Sequence, residues 1–168
     1  MNYVKNYGVS LYIINSNFWS SMVVFIVLNF PTIYIIDNWG LRAGISLGAF
    51  FTCLGLWIRC LVNENFYYAV LGQAVAAAGQ PFFFNSITLL SQSWFPRSER
   101  IISTSVGSNA ETFGMIIGSF MPTLFFTASE ATNVAATQAS CLQMCLYLAV
   151  GSTVVFFLTL ILLKDRPD

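Results

Sequence analysis

Residues 139–163 read ASCLQMCLYLAVGSTVVFFLTLILL, with no acid or base among them. An α-helix rises 1.5 Å per residue, so about 20 apolar residues cross the roughly 30 Å of hydrocarbon in a bilayer. This stretch is long enough to do so. Working back along the chain, residues 18–36, 43–62, 66–90 and 101–126 are similarly apolar. Short polar links separate them at 37–42, 63–65 and 96–100, and a segment rich in Ser, Thr, Ala and Asn follows at 127–138. Tight links make consecutive spans antiparallel neighbours. The expected fold is all-α: a polytopic membrane helical bundle of five transmembrane helices, forming one domain over residues 1–168.

Composition supports lipid as the solvent. The chain is 57% hydrophobic and 8% charged, whereas a soluble domain carries about a quarter charged residues. Lys plus Arg equals Asp plus Glu at 7 each, so no basic field draws nucleic acid. The absence of His removes the commonest general base and metal ligand. Cys53, Cys60, Cys141 and Cys145 lie in apolar stretches without a Cys-x-x-Cys pair, as small buried hydrophobes do. No catalytic constellation, metal site or cofactor is expected. Tyr67, Tyr68, Trp39 and Trp94 stand near span ends, where amphipathic rings anchor to the interface, and the many phenylalanines are assigned no special role.

Orientation follows from the bases, because short loops rich in Lys and Arg stay cytoplasmic. Arg42, Arg97, Arg100, Lys164 and Arg166 flank one side, and Lys5 and Arg59 the other. The C-terminus is therefore expected in the cytoplasm and the N-terminus outside. Residues 1–17 do not read as a cleaved signal, so the chain reads as one whose preceding span is missing.

Three segments carry polar chemistry into these spans. The first link runs from Pro31 to Arg42 and holds Asp37, a turn glycine at Gly40, and Arg42 opening the next helix. A carboxylate there can meet free N–H groups at a neighbouring helix N-terminus, which makes a latch that rocking could break. The third span contains Gly72-Gln73, Gly79-Gln80-Pro81-Phe82 and Asn85. Gln73 and Gln80, seven apart, share a face, and amides in hydrocarbon look inward for partners or water. Pro81 frees a backbone carbonyl and predicts a kink, while Gly72, Ala76 and Gly79 form a small-residue packing face. In the fourth span Gly107, Glu111, Gly114, Gly118 and Pro122 share a face, whose glycines and proline are expected to pack against a neighbouring helix. Glu111 sits near mid-span, where a carboxylate must be paired, wetted or protonated and is by default a functional candidate. Ser105, Ser108, Thr112 and Ser119 form an adjoining hydroxyl stripe.

Asp37, Gly40 and Arg42 match the Asp-x-x-Gly-x-Arg core of the loop between helices two and three in the major facilitator superfamily, which this chain resembles. Ile33 and Asn38 stand where that loop often has a glycine and a base. The ordered pattern of Gly-Gln, Gly-Gln-Pro-Phe, Asn, Trp-Phe, Glu-Arg and Gly-xxx-Gly-xxx-Pro resembles the feline leukaemia virus subgroup C receptor family of transporters, from Tyr7 to Pro167. The resemblance implies helices two to six of a twelve-helix fold, a partial N-terminal half. It implies choline, ethanolamine or heme-related transport, with a relative linked to pyridoxine. The family's Asn-Gln pair in the fifth helix, whose Gln faces the substrate, is replaced by Glu111 and Thr112, and the first-helix tryptophan of its cation cage has no counterpart here.

The reading drawn is transmembrane transport of a small organic solute by alternating access, with Gln73, Gln80, Asn85, Glu111 and Thr112 lining the path and Asp37, Gly40 and Arg42 latching a gate. Alternating access needs two half bundles, so the expected partners are lipid, a small organic solute, and the missing helices or a second half bundle. A fragment, a split half and a retained structural subunit all remain open. The expected location is the plasma membrane, with an organelle membrane as the second choice.

Overall fold

The computed structural model describes residues 11–125 and 134–163. Lys5, Lys164 and Arg166 of the charge argument, Tyr7 and Pro167 of the resemblance, and most of the 127–138 segment lie outside the described residues. Four helices, labelled α1 (Leu11–Arg59), α2 (Phe66–Trp94), α3 (Arg100–Phe125) and α4 (Val134–Leu162), account for nearly all of the rest, with a 3-10 turn at Cys60–Asn63.

Helix α1 is two helices in one label. Gly40 has φ 85 and ψ 175, a region essentially restricted to glycine. The contacts on α2 give the direction of each arm. In the first arm Ser21 meets Gln73 and Asn29 meets Asn85, so numbers rise together. In the second arm Gly55 meets Gly72 and Gly48 meets Gly79, so they run opposite. The arms are therefore antiparallel, and Gly40 is the reversal.

The second arm and α2 pack closely because neither has side chains in the way. A Cβ built on Gly55 would lie 2.4 Å from the Ala76 nitrogen, and one on Gly79 2.5 Å from the Gly48 oxygen. This is the small-residue contact that membrane helices use where apolar burial offers no drive for association. Helix α4 lies antiparallel on the second arm, through Cys53 and Trp57 on Thr153 and Phe50 on Phe156. One end is fixed by Arg42 Nη2, which donates to the Leu160 carbonyl at 2.9 Å. The other is fixed by Asn63 Nδ2, which donates to the Gln138 carbonyl at 3.3 Å.

The links are capped by the residues next to them. Asn65 accepts from the Tyr67 amide at 3.1 Å and caps the start of α2, satisfying one of its free N–H groups. Past the end of α2, Arg100 donates to the carbonyls of Phe95 and Gln92, and Ser91 donates to that of Arg100. Proline 81 lies buried inside α2, which continues through it to Trp94 without a break.

Helix α3 is the outlier: none of its described residues is buried. Gly107 rests on Ile87 of α2, but nothing lies within 4 Å of a Cβ built on Gly114 or Gly118, and Pro122 is exposed. The expectation that Gly114, Gly118 and Pro122 form a packed face is thus not met within this chain, because no described element lies against that side of α3. Elsewhere the surface is apolar. Ile101, Leu124, Ile161 and Phe30 are each at least 75% exposed, a distribution that suits hydrocarbon and not water.

Two segments, Phe18–Asn63 and Ala136–Leu162, reach mean hydropathies of 1.8 and 2.3 over spanning length. Helices α2 and α3 are less apolar over a comparable length. They are also the helices with amides, hydroxyls and an acid along their length, and three of these polar residues, Gln73, Gln80 and Glu111, border the cavities described next.

Candidate functional site

Gln73 organises the polar interior. Arg59 Nη1, from the last turn of the second arm, donates to Gln73 Oε1 at 2.8 Å. Gln73 Nε2 then donates to Ser21 Oγ of the first arm at 3.3 Å. One amide on α2 thereby ties both arms together. Such a chain satisfies polar groups that hydrocarbon would leave unpaired.

Gln73, Gln80 and Phe84 follow one another at seven and four residues on α2, and two cavities share them. The first, about 440 Å³, opens between α2 and the first arm, where Phe18, Ser21 and Phe25 complete the wall. Phe25 and Phe84 meet edge to face there, 5.6 Å apart. The second, about 460 Å³, lies between α2, the second arm and α3, with Thr52, Phe83, Glu111 and Met115 on its walls. Both volumes are within the range of small-molecule sites.

Gln73, Gln80 and Glu111, chosen from sequence for their polarity within apolar spans, thus border one cavity. Asn85 and Thr112 do not line either one. Asn85 is turned to the first arm, where its Nδ2 donates to Asn29 Oδ1 at 3.1 Å, and it serves as a fastener. Thr112 is exposed on α3. Of the hydroxyl stripe, Ser119 donates to the Met115 carbonyl of its own helix at 2.8 Å, so it is satisfied locally.

At the proposed latch, Gly40 makes the turn and Arg42 binds the end of α4, while Asp37 is exposed. The contact formed inside this chain is therefore that of the base. A guanidinium on a C-terminal carbonyl is the favourable arrangement for the negative end of a helix dipole.

Sequence reading missed Ser21, Asn29 and Arg59, and the wall phenylalanines 18, 25, 83 and 84. Asn29 and Arg59 carried a signal, since an amide within a predicted span and a base three residues inside a span boundary each need a partner. The phenylalanines carried none, because nothing in periodicity separates a ring facing a cavity from one facing lipid.

The chemistry available is limited and specific. Glu111 offers a carboxylate to a cation or proton, Gln73 and Gln80 offer amides, and the ring faces attract cations through their quadrupoles. Among the described residues no cluster of three His, Cys, Asp or Glu side chains could hold a metal ion.

Comparison with known proteins agrees with this architecture. The chain is 28% identical to the choline/ethanolamine transporter FLVCR1 of Felis catus, over 96% of this chain and 29% of that protein. It is 26% identical to the choline/ethanolamine transporter FLVCR2 of Homo sapiens, over 96% of this chain and 31% of that protein. An uncharacterized MFS-type transporter of Caenorhabditis elegans is 28% identical over 69% of this chain and 21% of its own length. The chain spans about a third or less of the length of these relatives. The family model described as Major Facilitator Superfamily matches residues 1–168. This chain belongs to the major facilitator superfamily: it is a multi-pass integral membrane protein of a transporter family and not an enzyme.

Proposed function

We propose that this chain supplies part of the path by which a small organic cation of the choline or ethanolamine type crosses a membrane by alternating access. The observation that carries the reading is the convergence of Gln73, Gln80 and Glu111 on one cavity of about 460 Å³ in an otherwise apolar bundle. A carboxylate at that place attracts a cation, and phenylalanine faces beside it favour a quaternary or primary ammonium. The names of the similar transporters, choline/ethanolamine, agree with that chemistry.

In this reading each arm of α1 and each of α2, α3 and α4 crosses the bilayer once, over the five spans 18–36, 43–62, 66–90, 101–126 and 139–163. The C-terminus is cytoplasmic and the membrane is the plasma membrane. The open glycine side of α3 meets further helices, whether in the same polypeptide or in a second half bundle. Asp37, Gly40 and Arg42 then act at the cytoplasmic end, where the Arg42 contact with α4 holds this half together and the exposed Asp37 makes and breaks a contact with the other half as the two rock.

Uptake of radiolabelled choline and ethanolamine into cells expressing the chain in its native assembly tests the proposal. Saturable uptake that depends on the chain supports it. A fully assembled chain whose removal leaves uptake unchanged sinks it in favour of a structural membrane subunit.

A further inference from the structure

Arg59 is half-buried, and among the described residues its hydrogen bond goes to an amide oxygen, not to a carboxylate. A buried or half-buried cation normally takes an acid as partner. What Arg59 does instead is fix the orientation of Gln73. With Oε1 held by the guanidinium at 2.8 Å, Gln73 turns its Nε2 toward Ser21 and the cavities. That nitrogen carries two hydrogens, and Ser21 Oγ takes one of them. The other is a donor available to whatever occupies the site.

The electrostatics point the same way. Gln73 and Glu111 both border the second cavity, one backed by a fixed positive charge and the other itself an acid. A cationic head is repelled from the Gln73 end and drawn to the Glu111 end. An oxygen at the far end of the same molecule then meets an N–H donor.

We infer that Arg59 is a positioning residue which turns Gln73 into a hydrogen-bond donor, so that the site selects an ammonium ion bearing an acceptor oxygen over one with a plain alkyl chain. The inference rests on the cation-transport reading and assigns the residues that read the oxygen end.

The test compares choline with its alkyl counterpart of nearly equal size, n-propyltrimethylammonium, binding to the full chain purified in its native assembly in lipid nanodiscs. The natural protein is expected to bind choline about fivefold more tightly, the effect of one net hydrogen bond. R59M removes the orienting contact together with a charge that acts on both ions alike, and is expected to bring that ratio to about one. Q73M leaves Arg59 in place and removes the donor without putting an acceptor for the choline hydroxyl in its stead, so it is expected to collapse the ratio even where R59M folds poorly. A merely structural role would weaken both ions together and leave the ratio unchanged. If both ions bind and the ratio survives in R59M and Q73M, this inference is overturned while the transport reading stands. If the natural protein binds neither ion, the transport reading falls and takes the inference with it.

Discussion

Substituting Gly55 by Ala tests the seam between the second arm of α1 and α2. The added methyl would lie 2.4 Å from the Ala76 nitrogen, 2.5 Å from the Gly72 oxygen and 2.7 Å from the Ala76 Cβ. Two of these three are backbone atoms, which no rotamer change can move. Ordinary contact begins near 3.4 Å, so the helices must part by roughly 1 Å along the seam. Overpacking of this kind costs about 1–3 kcal/mol, to which the dispersion lost along the neighbouring Gly48–Gly79 contact adds. In a chain of this size each kcal/mol moves the melting temperature by about 2–4 °C. Thermal unfolding in detergent, followed by size-exclusion chromatography, should therefore show a drop of several degrees for Gly55→Ala. Gly151→Ala is the control. Nothing lies within 4 Å of its built Cβ, and replacing a mid-helix glycine should be neutral or stabilising. A Gly55→Ala protein as stable as the control would refute the account of the seam.

Three other experiments probe separate features of the fold. Gly40→Ala forces a side chain into φ 85 and ψ 175; it should cost about 1–3 kcal/mol, read by the same melting assay. A double-mutant cycle on Asn29 and Asn85 should give a coupling near 0.6 kcal/mol and below about 1.7 kcal/mol, the range for hydrogen bonds between membrane helices; zero coupling would contradict the fastener role. Arg42→Met should loosen the last turn of α4 by about 1 kcal/mol, seen as roughly fivefold faster amide exchange at residues 158–162 with little change near Thr153.

Much of this arrangement was legible in the residues, for physical reasons that differ by element. The small face of Gly72, Ala76 and Gly79 could be read because helical spacing alone puts those positions together, and only close packing rewards the absence of a side chain there. Gln73, Gln80 and Glu111 could be read because hydrocarbon penalises polar groups wherever they point. Their meeting in one cavity, and the failure of Asn85 and Thr112 to join them, depended on which helix faces which. Asn85 obeys the same penalty as Gln80 but meets it with Asn29, an asparagine 56 residues away in sequence. Periodicity carries no record of such pairings. The glycines of α3 show the complementary failure: Gly107 finds Ile87, whereas Gly114 and Gly118 share its face without a neighbour among the described residues. Their spacing signals that a helix can approach, not that one within this chain does.

The account turns on Glu111 as the anionic wall of a cation site. The most direct measurement is the affinity of radiolabelled choline for the natively assembled protein in nanodiscs, set against Glu111→Gln. Opposite charges about 4 Å apart attract by about 1 kcal/mol in water and about 4 kcal/mol at an effective dielectric of about 20. The exposure of Glu111 within the described chain favours the lower part of that range, which is still a loss of about five- to thirtyfold. A loss of that order, with unchanged melting temperature, is the predicted result. Choline bound equally well by the natural protein and by Glu111→Gln would contradict the account.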